Sequence, residues 1–269
     1  VDPVEELDIS TVEAYNYATN SWTGKSATLR RARTNGVGLI GGKLYVSGGI
    51  LDTGDGHEAT LTVFAYDPIA DVFTRKADMP RPASDGVTGV IGGKLYVLTG
   101  GCGNCAVFVS RRFWRYDPAT NAWSFLPQCP RAHLSGAGGV INGKFYVAGG
   151  SNEAFSATKN LDVYDPVTNT WTARAPLPET VFAPAGAVLN NKLYVMGGTV
   201  GADSHTSKTV FAYDPATNTW TTKAPMLTAR FRLAAAGLVT PFGNPKILAV
   251  GGLDLANPSA GGANELFTP

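Results

Sequence analysis

Val210-Phe211-Ala212-Tyr213-Asp214-Pro215-Ala216-Thr217-Asn218-Thr219-Trp220 reads as two short apolar runs joined by a tight turn. Pro presets the φ of a type I turn, and Asn tolerates the left-handed conformation that ends it. A four-residue loop from Pro215 to Asn218 sets Asp214 opposite Thr219 and Tyr213 opposite Trp220. The two aromatics then share one sheet face, where such a cross-strand pair adds roughly 0.2–1 kcal/mol beyond burial. Their expected job is to pack one repeat against the next.

The same Tyr, seven-residue step and Trp or Phe return as Tyr164 with Trp171, Tyr116 with Trp123, Tyr66 with Phe73 and Tyr15 with Trp22. Successive tyrosines lie 51, 50, 48 and 49 residues apart. A period of this length, built from short apolar runs and turn residues, marks a propeller blade or similar unit that buries its faces only against neighbouring copies. A second hairpin lies between these units. Val37-Gly38-Leu39-Ile40 and Lys43-Leu44-Tyr45-Val46 flank Gly41-Gly42, and later copies place Gly92-Gly93, Asn142-Gly143 and Asn190-Asn191 there. Two-residue loops of Gly and Asn are the signature of type I′ turns. Each second strand then ends in a glycine pair: Gly48-Gly49, Gly100-Gly101, Gly149-Gly150, Gly197-Gly198 and Gly251-Gly252. Positive φ and close approach of another backbone are expected at those pairs.

Apolar hairpin, Gly-Gly, Tyr and Trp together resemble the kelch repeat, over almost the whole chain. The resemblance implies a β-propeller of four-stranded blades, with the Gly pair after the second strand, Tyr in the third and Trp in the fourth. The chain departs from the pattern at Phe73, at Phe267 and at Thr240 to Pro245, which replaces a two-residue turn. Five inner hairpins, five outer Tyr-Trp hairpins and a surplus third strand, Asn264 to Pro269, suggest five blades closed where the two chain ends meet. A six-bladed ring is the alternative. Closure removes the open sheet edge that invites aggregation.

With 269 residues, 44% of them hydrophobic and 16% charged, residues 1–269 are expected to form a single all-β domain. The 32 glycines and 17 prolines reflect the density of turns. A net charge of +1 and a pI near 7.8 give no general reason to expect nucleic acid or membrane binding. No apolar run approaches the length of a membrane span, no signal peptide is evident, and the leader Val1 to Ile9 is acidic. Richness in Ser, Thr, Asn and Gly favours an exported protein over a cytoplasmic one.

Strand order sorts the loops onto two faces. Tight turns occupy one; the variable loops Ile50 to Leu61, Cys102 to Ser110, Ser151 to Lys159, Thr199 to Lys208 and Leu253 to Ala263 occupy the other, where a propeller is expected to carry function. His57, His133 and His205 fall there on separate blades, read as isolated surface histidines, so no metal and no cofactor are expected. Cys102 and Cys105, beside an extra residue at Leu98-Thr99, are the candidates for a local disulfide, with Cys129 in the loop leaving the same blade on the same face, and free thiols or a metal site as the alternatives.

No phosphate loop, nucleophile elbow or paired metal-ligand motif is present, so no catalytic residue is assigned. Kelch-fold enzymes (oxidases, epimerases, metal-dependent lyase-like proteins) remain the alternative, using the axial pocket. The main expectation is a monomeric binding module presenting its loop face to a protein, an acidic peptide or a glycan. Counting thirteen residues back from the Lys that opens each second strand reaches Arg30, Arg81, Arg131 and Glu179; Arg230 or Arg232 restores the charge in the fifth repeat, where the register is ambiguous. Arg30, Arg81 and Arg131 are expected to grip one anionic group, with Glu179, Arg230, Arg232 and His133 completing the rim.

Overall fold

The computed structural model describes residues 11–16, 18–28, 36–52, 57–101, 109–200, 205–239, 244–256 and 264–269. In chain order its strands begin with the hairpin β1 (Thr11–Asn16) and β2 (Ser21–Thr28). A first blade follows, β3 (Gly36–Ile40), β4 (Lys43–Ser47), β7 (Val63–Asp67) and β8 (Val72–Arg75), with the loop ladder β5 (Ile50–Asp52) and β6 (His57–Ala59) inserted. The second blade is β9 (Val87–Ile91), β10 (Lys94–Leu98), β11 (Phe113–Asp117) and β12 (Ala122–Leu126); the third is β13 (Ala137–Ile141), β14 (Lys144–Ala148), β15 (Leu161–Asp165) and β16 (Thr170–Ala173). After β17 (Val181–Phe182) come β18 (Ala185–Leu189), β19 (Lys192–Met196), the loop strands β20 (Thr199–Val200) and β21 (His205–Thr206), then β22 (Val210–Asp214) and β23 (Thr219–Lys223), which complete the fourth blade. The last sheet has three strands, β24 (Ala234–Val239), β25 (Pro245–Val250) and β26 (Asn264–Phe267). Among the described residues there is no helix, and so none long and apolar enough to cross a membrane.

Both turn readings hold. Tyr213 pairs with Trp220 and Asp214 with Thr219, and the aromatic register repeats in every outer hairpin. The ring centroids of Tyr213 and Trp220 lie 5.1 Å apart. Asn218 takes φ +56°, as its left-handed place requires. The inner turns have positive φ at both residues, for example +49° and +71° at Asn142 and Gly143. The glycine pairs take positive φ in four blades, but Gly100 and Gly101 do not, where the extra residue Thr99 changes the strand exit. Close approach still demands glycine there, since a Cβ on Gly100 would lie 2.0 Å from the Asp85 carbonyl oxygen.

The aromatic pairs stitch blades together, as their spacing suggested. Trp123 Nε1 donates to the Ala77 carbonyl, Trp171 Nε1 to that of Pro127 and Trp220 Nε1 to that of Ala175, at 2.8–2.9 Å, each reaching into the preceding blade. Asn218 Oδ1 accepts from Tyr213 Oη and from the Ala175 backbone N–H, so one turn residue serves both blades. Four apolar clusters fill the four contacts between consecutive blades. The inner strands stand in the order β3, β9, β13, β18, β24.

The expected closure by the chain ends is not what the sheets show. Within the described residues β26 pairs with β25 alone, and β1 and β2 pair only with each other. Equal numbers of strands do not close a ring unless their edges reach each other, and the described edges of β26 and β1 do not.

Candidate binding face

The segments that lead from one blade into the next run over the loop face, and the structure fixes their register. Taking the first residue of β9, β13, β18 and β24 as origin, the residue four positions earlier is Ala83, His133, Val181 or Arg230. Two positions earlier than that stand Arg81, Arg131, Glu179 and Thr228. Two positions later stand Asp85, Ser135, Ala183 and Arg232, all at φ between +51° and +54°. These left-handed residues are linked sideways: Ser135 N donates to the Asp85 carbonyl and Arg232 N to that of Ala183, both at 2.9 Å. The ambiguous fifth repeat therefore resolves to Thr228, and Arg230 and Arg232 occupy two other registers.

The basic candidates have different fates. Arg131 is committed inside the protein: its Nε and Nη2 donate to Asp162 Oδ2 and Oδ1 at 2.8 and 2.7 Å, and Nη1 donates to Asn160 Oδ1. His133, expected at the surface, is buried; Nδ1 lies 2.8 Å from the Gly149 carbonyl oxygen and Nε2 2.9 Å from Asp162 Oδ2. Arg230 is also buried, donating through Nη1 to the Gly251 carbonyl and pairing through Nη2 with Glu265 at 3.1 Å. Glu265 additionally accepts the backbone N–H groups of Leu227 and Thr228. Arg131, His133 and Arg230 hold lead-in segments to third strands and do not converge on an outside anion. Arg81 and Arg232 are exposed, Arg232 lying 5.8 Å over the Phe231 ring. Glu179 is half-buried. Arg30, Cys102 and Cys105 lie outside the described residues.

Asp162 and Glu265 were missed by the sequence reading, although their signal is there. They occupy the third-strand position that pairs with Val147 and Ala249, where the second and fourth blades have Trp114 and Phe211. Each acid appears only where the lead-in residue is basic. Burial works to raise the Asp162 carboxyl, but hydrogen bonds from His133 and Arg131 outweigh it and hold its pKa below the ordinary value. Cys129, buried beside it, has its thiol pushed up to about 12, chiefly by burial. Ligand atoms of Cys129, His133 and Asp162 lie within 4.8 Å of one another, a spacing a metal could use. Yet both His133 nitrogens and both Asp162 oxygens already have partners within the protein, and the thiol is far from ionising, so the donor set does not suit a divalent cation.

The loop Ser151 to Thr158 carries the most telling side chain. Asn152 Oδ1 accepts the N–H groups of Ala154 and Ser156 at 2.9 and 3.0 Å, and the Asn152 carbonyl accepts Phe155 N–H at 3.0 Å. Bridges from Ser151 to Leu134 and Ala157 fix the base. At the tip Phe155 is held at φ +57° and is 60% exposed. A bulky residue at positive φ is an outlier for which the loop supplies the restraint. Glu153 pairs with Arg111 at 3.4 Å beside it.

Comparison with known proteins agrees with this architecture. A family profile described as the KLHDC2/KLHL20/DRC7 Kelch-repeats domain matches residues 39–252. The chain belongs to the kelch-repeat family. Kelch-like protein 24 of Rattus norvegicus is 36% identical over 73 residues, which is 27% of this chain and 12% of that protein. Its counterpart in Homo sapiens is 38% identical over 63 residues, 23% of this chain and 10% of the relative. The chain thus aligns with only about a tenth of the length of these curated relatives. Among solved structures, one titled "Structure of YjhT" superposes with a TM-score of 0.78 at 18% identity, covering 93% of this chain and 85% of the other. That likeness supports the all-β kelch propeller fold, whose members commonly serve as protein-interaction modules.

Proposed function

We propose that this kelch propeller is a binding module that receives a protein or acidic peptide on its loop face, with Phe155 as the apolar anchor and Arg81 as an electrostatic contact. The observation that carries the reading is Phe155, an aromatic ring displayed at the tip of a loop pre-ordered by Asn152. Ordering the loop in advance removes an entropic cost that binding would otherwise meet, and rigid aromatic anchors are where binding energy concentrates. The exposed guanidinium of Arg81 suits a carboxylate-bearing ligand. Arg30 would extend that surface if its side chain shares the face.

The test is an array of acidic peptides, each with one large apolar residue, followed by titration of the best binder in increasing salt. Phe155→Ala is expected to weaken binding tenfold or more, about 1.4 kcal/mol. Arg81→Ala should weaken it less and flatten its salt dependence. Affinity indifferent to both substitutions, with the fold unchanged, would remove this face from consideration.

A further inference from the structure

On the tight-turn face, opposite the variable loops, a pocket of about 440 Å³ opens between the third and fourth blades. Small-molecule clefts commonly have volumes of roughly 300–1,000 Å³. The tyrosines of the two blades meet in it. Tyr146 of β14 and Tyr213 of β22 lie with their ring centroids 6.1 Å apart. The Tyr213 hydroxyl is committed, donating to Asn218 Oδ1 at 2.8 Å. That of Tyr146 is not: the residue lines the pocket, is only 6% exposed, and its oxygen has no hydrogen-bond partner among the described residues. A hydroxyl this deep normally has a partner, and here one can reach it from the pocket.

Cations surround that hydroxyl. Burial raises the Tyr146 pKa, and the charges of Lys144 and Arg174 pull against it; Arg174 acts on Tyr213 in the same sense. Lys144 is paired with Asp165 at 2.7 Å and Lys192 with Asp214 at 2.6 Å, so those charges cancel. The Arg174 guanidinium is exposed, lines the pocket and has no partner among the described residues. It therefore leaves the site with one uncompensated positive charge. Ten residues after the third-strand Tyr, where the third blade has Arg174, the first, second and fourth have Lys76, Leu126 and Lys223. The inner turns differ as well, since Asn142 and Asn190 line this pocket where the first two blades have Gly41 and Gly92. Pro215 and Ala216 supply an apolar wall.

We propose that this pocket binds a small organic acid, its single carboxylate held by Arg174 and the Tyr146 hydroxyl and its apolar body against Pro215 and Ala216. Charge selects the carboxylate. One negative charge matches the one uncompensated cation, whereas a phosphate monoester brings about 1.5 to 2 at pH 7. The planar guanidinium offers a carboxylate two parallel N–H···O bonds, a geometry that an ammonium group in its place could not reproduce. The Tyr146 hydroxyl donates a further hydrogen bond from a site with little access to water, where such a bond is stronger than at the surface. The pocket is on the face opposite the variable loops, so this site and the loop-face reading stand or fall separately.

Calorimetric titration of the full chain with phenylacetate, phenylethanol and orthophosphate tests the proposal. Phenylacetate is expected to bind saturably and one to one, at least tenfold more tightly than phenylethanol, which lacks the carboxylate, or orthophosphate, which lacks the apolar body. Arg174→Gln, at an exposed residue, should weaken phenylacetate at least tenfold, and Arg174→Lys should recover only part of the loss. Tyr146→Phe removes a single oxygen that has no partner within the protein, so it should weaken binding severalfold without lowering the melting temperature. Lys223→Gln, at the same position of the fourth blade, should leave binding unchanged. No saturable binding of phenylacetate would overturn the proposal. So would affinity indifferent to Arg174→Gln, or orthophosphate bound as tightly as phenylacetate, which would reduce the site to a patch of charge.

Discussion

Replacing Asp162 by Ala should be costly, and replacing it together with His133 should not be. Asp162 is the acceptor for Arg131 Nε and Nη2 and stands 2.9 Å from His133 Nε2, all from a fully buried position. Removing one member of a buried charged pair typically costs about 3–5 kcal/mol. The lower end applies, because the Arg131 side chain is 36% exposed and can turn part of its guanidinium to water, whereas His133 cannot. About 3 kcal/mol is therefore expected for Asp162→Ala. The fourth blade shows how the same site is built without charge, with Val181 and Phe211 in the two positions. The double variant His133→Val, Asp162→Phe copies those two positions and leaves Arg131 to turn out to water as the exposed Arg81 does in its register, so it should fall within about 1 kcal/mol of the parent. Urea unfolding followed by tryptophan fluorescence would measure both, provided the denaturant slope is unchanged. A single variant costing less than about 1 kcal/mol, or a double variant no better than the single one, would refute the view that the acid serves only its basic partners.

Trp171 packs against Phe113, Phe145 and Tyr164 and donates to Pro127, so Trp171→Ala should cost about 3–5 kcal/mol; the same change at Trp22, which is 43% exposed, should cost less than about 1 kcal/mol by denaturant titration. Acid should expose the Asp162 contribution. Its folded pKa is depressed, so the stability it adds is present above its unfolded value of about 3.9 and is lost as pH falls through the lower folded value. Melting temperatures between pH 6 and 2, chosen to span that window, should fall further for the parent than for the His133→Val, Asp162→Phe variant, so that two values close at pH 6 separate at the acid end.

The elements that could be read from sequence are those whose determinants lie within a few residues. Pro215 and Asn218 fix their turn whatever surrounds them, so the pairing of Tyr213 with Trp220 followed from spacing alone. Asn142-Gly143 likewise specified its own hairpin. Closure is different in kind, because it depends on which sheet edges face each other across the ring. A count of hairpins cannot distinguish a third strand that meets the chain start from one that stops at its own sheet, as β26 does.

The basic residues show the same limit at the level of single side chains. Counting back from the second-strand Lys carries any change in hairpin length into the lead-in segment, and the longer fifth hairpin moved the count away from Thr228. Even where the register was right, charge alone did not say which way a side chain turns. Arg81 and Arg131 hold equivalent positions, yet one is exposed and the other is bound to Asp162, because the second blade places Trp114 where the third has an acid. Direction was decided some thirty residues downstream, and only an alignment of the repeats against one another brings both residues into the same column. Read in that way, an acid replacing an aromatic in the third strand marks a cation turned inward, and an aromatic retained there leaves the equivalent cation available to a ligand. By this rule the second and fourth are the open ones among the described lead-in segments, and Arg81 is the described arginine of its register that remains for recognition.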